Sequence, residues 1–193
     1  DFAEVIRVHQ GAPVRAAPQS VGGVDRMAGL VAQDADHPVP AAAFHLAHAK
    51  AALAAGKAAF LEKPLAVSTE EARAFVAAAE ASGARGAVNF PMASSPAVAQ
   101  LTAWRAGLGT PRSLTIHLAF ATWPRGWQQG AATWLARRAD GGFTREVLSH
   151  FLFLTRRQLG PLRLVSGSAA YPDGDGAETA IEASLTADGI PVT

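Results

Sequence analysis

The stretch Ala51–Leu65 reads AALAAGKAAFLEKPL, and its order of residue types lays out one unit of fold. Working back from it, Leu46, Ala49, Leu53 and Ala54 recur at helical spacing from Phe44 onward. Gly56 then supplies the residue type that most readily ends a helix. Ala58–Leu61 is an apolar run of strand length, and Pro64, which has no amide hydrogen, keeps it from continuing as a central strand. Glu62, Lys63 and Pro64 therefore fall at the strand's carboxyl end, the edge where ligands bind in open α/β sheets. A proline after Lys63 also favours a cis or sharply turned peptide that aims the neighbouring side chains. Taken alone, the same three residues equally fit a surface salt pair beside an ordinary turn.

Downstream, Ser68–Glu71 has the S-x-x-E pattern of a capping box, in which hydroxyl and carboxylate each satisfy a free backbone amide. Ala72, Phe75, Val76 and Ala79 carry an apolar stripe from there to Gly83. Arg85–Phe90 reads as a second strand, and Ser95 with Pro96 opens a helix that runs through Val98, Leu101 and Trp104 to Gly107. Helix, strand, helix, strand, helix implies parallel pairing with helical crossovers, which is an α/β sheet. Upstream, Asp1–Pro40 scatters glycines and prolines among short apolar runs and receives no element assignment.

Past Gly109 the text changes. Ser113–Phe120 alternates as a strand, and Ala121–Asp140 is loop-like with Trp123, Trp127 and Trp134. Phe143–Leu159 reads as a helix entered from Gly141 and Gly142. Arg163–Tyr171 and Ala177–Thr186 are strand-like runs joined by Pro172–Gly176, PDGDG, a hairpin signal. A boundary near Gly109 thus separates an α/β unit from a sheet-rich α+β unit.

Composition narrows the function classes. The chain has 193 residues, 49% of them hydrophobic and 17% charged, enough length and apolar content for a buried core in one domain or one and a piece. A net charge of +1 removes the electrostatic reason to expect nucleic acid as a partner. Zero cysteines exclude a disulfide framework, a thiolate zinc site and a cysteine nucleophile, and are compatible with a reducing cytoplasm. The longest apolar stretch, Val39–Leu61, is interrupted by His45, His48, Lys50 and Lys57, so no membrane span is expected, and the N-terminus lacks the pattern of a signal peptide. Lysine is rare, at Lys50, Lys57 and Lys63, while arginine is common; a GC-rich genome accounts for that style in the plainest way.

The text from Phe44 to Gly160 resembles the Gfo/Idh/MocA family of NAD(P)-dependent oxidoreductases. The resemblance is carried by His45, by Ala55-Gly56-Lys57, by Glu62-Lys63-Pro64-Leu65, by Asn89 and Phe90 at the end of the next strand, and by the turn Gly107-Leu108-Gly109. Gly141–His150, GGFTREVLSH, is similar to the family's G-G-x-x-x-D-x-G-x-H helix, with Glu146 in place of Asp and Leu148 in place of Gly. Phe153 stands where the family often has another Asp. The resemblance implies a partial Rossmann-like, dinucleotide-binding α/β domain over residues 1–109 and part of an α+β substrate and oligomerisation domain over 110–193. It implies NAD or NADP as cofactor, a sugar or polyol-like hydroxyl as substrate, no nucleic-acid or membrane partner, a cytoplasmic location, and association of copies through the C-terminal sheet.

Site residues follow from the same resemblance. Lys63, His150 and Glu146 are the expected catalytic group, and His45, Glu62, Pro64 and Asn89 the expected cofactor-binding group. The chemistry is coherent: hydride can leave a carbinol only as its hydroxyl proton is removed, imidazole titrates near neutral pH, and a fixed cation stabilises alkoxide charge. The family's first strand and GxGxxG phosphate turn are not found; Gly22 and Gly23 in QSVGGVDRM do not supply that fingerprint. Together with the opening at Asp1 and methionines only at Met27 and Met92, this leads us to expect a partial chain. Three alternatives stay open: a non-catalytic binding or scaffold protein, an inactive fragment of the fold, and a metal-dependent hydrolase built on His45 with His48 and Glu146 with His150. No metal site is the primary expectation. The three loop tryptophans either line a substrate pocket or pack the loop against the sheet.

Overall fold

The computed structural model describes residues 27–29 and 42–193. Contacts divide these into two compact units, one of 27–29 with 42–89 and one of 90–193. The unread region 1–40, with Gly22 and Gly23, lies outside the described residues except for Met27–Gly29, a short strand that sequence patterning did not announce.

In the first unit, α1 (Ala42–Ala54) is followed by β2 (Ala58–Glu62), α2 (Thr69–Ala81) and β3 (Gly86–Asn89), with Met27–Gly29 as β1. The three strands form a parallel sheet in the order β1-β2-β3. The helices end where glycine permits a left-handed residue, at Gly56 (φ 66°) and Gly83 (φ 65°). α2 starts on the hydroxyl half of the expected capping box: Ser68 Oγ accepts from the amides of Glu70 and Glu71 at 3.2 and 3.3 Å. The core is one cluster in which Leu46, Ala49 and Ala52 of α1 and Phe75 of α2 meet Ala59 and Leu61 of β2. β2 alternates, burying Ala59 and Leu61 and turning Phe60 to the opposite face. Burying a side chain such as Phe75 contributes about 1.5–3 kcal/mol.

The second unit contains α3 (Pro96–Leu108), α4 (Ala132–Leu135), α5 (Ser149–Leu159) and the antiparallel sheet of β4 (Leu162–Ala170), β5 (Ala180–Ala187) and β6 (Ile190–Val192). α3, which connectivity groups with the first domain, makes its contacts here: Thr102 Oγ1 accepts from Gln158 Nε2 of α5 at 2.8 Å.

Two expected strands change. Ser113–Phe120 is not a strand: only Leu114 makes a β bridge, to Val192, and the pairing ends with the Ile116 amide on Thr193 oxygen at 2.7 Å. β6 offers three residues, too short an edge to zip a longer partner. The run expected from Ala177 begins at Ala180 instead, because the residues before it bond elsewhere. The Arg138 amide donates to Asp175 oxygen, the Ala177 amide donates to Ala136 oxygen, and Arg137 bridges Gly176. The hairpin is real, but its connection is tied down to the segment after α4. The Arg138 guanidinium beside it lies over the Tyr171 ring, 3.9 Å from its centre. Among the described residues no helix is long and apolar enough to cross a membrane.

Candidate active site

At the carboxyl edge of the parallel sheet the sequence places Glu62 and Asn89 at the ends of β2 and β3, and the register pairs them directly. Parallel neighbours in register point to the same face, so the two side chains meet: Asn89 Nδ2 donates to Glu62 Oε1 at 2.7 Å. The Lys63–Pro64 peptide is cis, the geometry a proline at this place allows. From α1, His45 reaches across with Nδ1 2.9 Å from the Pro64 carbonyl oxygen. A carbonyl only accepts, so this bond puts the proton on Nδ1. His45 is 4% exposed, so it is a buried brace for the Lys63–Pro64 turn. His45, Glu62, Lys63, Pro64 and Asn89, five of the seven expected site residues, are thus brought to one strand-end cluster.

The remaining two lie in the second unit. Glu146 sits in a π-helical turn, Thr144–Leu148, that precedes α5, and His150 is the second residue of α5. The widened turn means that Glu146 and His150 are not spaced on a uniform α-helix, the geometry their four-residue separation implies. His150 meets Phe90 edge-on at 5.6 Å, and Phe153 stacks on the same ring at 4.1 Å. Phe153 therefore packs against Phe90 in this unit.

The entry to this helix explains the paired glycines. Any side chain at Gly141 would run into the backbone carbonyl of Leu135. At Gly142 (φ 92°) a side chain would run into the Glu178 carboxylate. Glu178 is 7% exposed, and its Oε1 accepts from the Thr144 amide at 2.6 Å, satisfying one of the free donors at the helix start. Sequence reading missed Glu178, because it acts from the far end of the hairpin connection.

It also missed Arg125. In the loop after Phe120, Trp123 is fixed by donating from Nε1 to Leu135 oxygen at 3.1 Å, and its ring meets Phe120 at 5.4 Å and Phe143 at 6.1 Å. The Arg125 guanidinium lies 4.6 Å from the Trp127 ring centre and 5.8 Å from those of Phe120 and Trp123. Its Nε donates to Gln128 Oε1 at 2.9 Å. Burial pulls the Arg125 pKa below its ordinary value, and the charge of Glu146 pushes it back up. The loop tryptophans therefore divide: Trp123 packs, while Trp127 stays 73% exposed. The hollow between residues 115–123 and the β4–β5 face, about 1430 Å³, is larger than the roughly 300–1,000 Å³ of a formed ligand pocket and reads as an open trough. Among the described residues no three His, Asp or Glu side chains gather as metal ligands.

Residues 35–90 match the model of the GFO_IDH_MocA oxidoreductase family with an NAD-binding Rossmann fold. Similar solved structures include an NAD-binding oxidoreductase from Klebsiella pneumoniae (24% identity, 80% of this chain and 45% of that one, TM-score 0.59). The WlbA dehydrogenase from Bordetella pertussis, solved with NADH and UDP-GlcNAcA, is 22% identical over 86% of this chain and 47% of its own, at a TM-score of 0.66. D-galactose-1-dehydrogenase from Rhizobium etli is 23% identical over 80% of this chain and 49% of its own, at 0.63. No curated protein matches the chain. The family match covers the E-K-P stretch and ends before Gly141–His150, the fold is α/β with a Rossmann-like parallel sheet, and the chain spans about half the length of the solved relatives.

Proposed function

We propose that this chain carries the nicotinamide end and part of the substrate domain of an NAD(P)-dependent oxidoreductase, which transfers hydride between the cofactor and a hydroxyl of a sugar, polyol or related small molecule. The observation that carries the reading is the strand-end cluster: Asn89 on Glu62 and His45 on Pro64 hold the E-K-P turn at the carboxyl edge of a parallel sheet. That edge is the ligand edge of α/β folds. The donor set fits a nicotinamide: a cation, a carboxylate, an amide and a braced turn offer both donors and acceptors to a carboxamide and ribose.

The hydride chemistry is supplied by the nicotinamide when bound. Glu62, Pro64 and Asn89 shape its pocket, and His45 keeps the turn in place. Lys63 stabilises charge on the substrate oxygen as its proton leaves. His150 takes that proton on its imidazole, and Glu146 binds or orients the substrate hydroxyls. The exposed Leu164 and Val165 of β4 support association of copies through the C-terminal sheet, which light scattering would read as a dimer or larger. A cytoplasmic location belongs to the same reading.

The test is a titration of the purified chain with NADH and NADPH, followed by nicotinamide fluorescence, and a turnover assay with Lys63→Ala. Saturable binding, with turnover abolished by Lys63→Ala at unchanged circular dichroism, supports the reading. Undiminished turnover in Lys63→Ala overturns the catalytic assignment. No binding at millimolar cofactor overturns the enzyme reading in favour of a non-catalytic protein on the same fold.

A further inference from the structure

The geometry points to Arg125 as the residue that binds a carboxylate or phosphate carried by the sugar-type substrate, so that the preferred substrates are sugar acids or sugar phosphates rather than neutral sugars. The inference rests on the functional reading above and narrows its substrate class.

Three observations carry it. First, the guanidinium is held in place: three aromatic rings surround it at 4.6–5.8 Å, and Gln128 Oε1 fixes both its Nε, at 2.9 Å, and its backbone amide, at 3.3 Å. Second, among the described residues those bonds use the backbone and Nε rather than the two Nη groups of the fork, the pair that grips a carboxylate or phosphate side by side. An arginine whose stem is immobilised loses little further freedom on binding, so more of each bond appears as affinity. Third, Trp127 is 73% exposed although Arg125 lies over one of its faces, so its other face is open. An open indole face beside a fixed cation suits a ligand with an apolar ring face and an anionic substituent.

Glu146 is the acidic group whose charge reaches Arg125. Its carboxylate accepts hydrogen bonds and opposes a bare anion. A ligand with hydroxyl donors next to its anionic group offers each residue a complementary group, whereas a neutral polyol brings no anion to the Arg125 fork. Arg125 thereby links the aromatic loop to the residue expected to handle the substrate's hydroxyls.

The experiment is a tryptophan-fluorescence titration of the whole chain with D-glucuronate, with glucose 6-phosphate and with glucose. Trp127→Phe establishes that the signal comes from the ring beside Arg125. Saturable changes with either anion, and none with glucose at equal concentration, are expected; which anion binds tighter identifies the source of the charge. Arg125→Gln should weaken the anion titration by roughly tenfold or more. Arg125→Lys, which keeps the charge and the stem but not the planar fork, should fall between the two at an unchanged urea midpoint. Equal response to glucose, no response to either anion, or an unaltered titration in both Arg125 variants overturns the inference. The NADH titration is independent of these arms. A chain that binds glucuronate through Arg125 but no nicotinamide keeps this inference and loses the enzyme, and the converse result loses this inference alone.

Discussion

Removing the carboxylate of Glu178 tests how the helix that carries Glu146 and His150 is held. Glu178 is 7% exposed, and its Oε1 accepts the Thr144 amide at 2.6 Å. Thr144 Oγ1 is itself buried without a hydrogen-bond partner among the described residues, so the polar groups at this end of the helix are already short of partners. Glu178→Ala removes one charge-assisted hydrogen bond and strands a buried donor, a loss of roughly 2–3 kcal/mol. Glu178→Gln keeps an acceptor oxygen and nearly the same volume but loses the charge at the helix start, so it should cost about 1 kcal/mol or less. All four tryptophans, Trp104, Trp123, Trp127 and Trp134, lie between residues 90 and 193, so their fluorescence in a urea titration reports on this unit. With a slope of about 1–3 kcal/mol per molar urea, the Ala variant should lower the midpoint by about 0.7–3 M. The Gln variant should move it less than half as far. An Ala variant within about 0.5 kcal/mol of the parent, or a Gln variant as damaged as the Ala variant, would show that the carboxylate does not anchor the helix.

Gly142→Ala should destabilise the same unit by more than about 1 kcal/mol, since φ 92° disfavours a side chain and Glu178 occupies its space. Combined with Glu178→Ala the losses should fall short of additive in the same urea assay, because the clash is relieved. Ser68→Ala removes the acceptor for two amides at the start of α2 and should cost about 1 kcal/mol, read from helical circular dichroism at the first unit's transition. Asn89→Asp sets a second carboxylate against Glu62 across a 2.7 Å contact; NADH affinity should drop, and an unchanged titration would remove Asn89 from the cofactor pocket.

What was legible in the sequence was local. The helix stops at Gly56 and Gly83, the cap at Ser68, the cis turn after Lys63 and the strand-end position of E-K-P each depend on residues within a few positions of one another. Asn89 with Glu62 was legible one step further, because two short parallel strands of the same unit end together. The strand expected at Ser113–Phe120 failed because alternation records a preference, whereas a ladder needs a partner edge, and β6 gives only three residues. β5 began late because Ala177, the first of its expected residues, bonds to Ala136 after α4, and Glu178 turns its carboxylate to the Thr144 amide. Arg125 and Glu178 were illegible for a common reason. Arg125 gains meaning from rings that the loop fold collects around it, and Glu178 from an amide 34 residues away. Neither leaves a periodic or motif-like trace.

The tied hairpin connection has a practical consequence for anyone wishing to label or tether this protein. Asp173 and Gly174 sit at its outer tip, where a side chain added to Gly174 would meet nothing within 4 Å, while just beyond it Asp175 and Ala177 lock the backbone to Arg138 and Ala136. A chain with no cysteine of its own accepts a single thiol at Asp173 as a unique chemical handle. A probe attached there hangs from a firmly moored stalk, so it would report rotation of the second unit as a whole rather than the wagging of a loose turn.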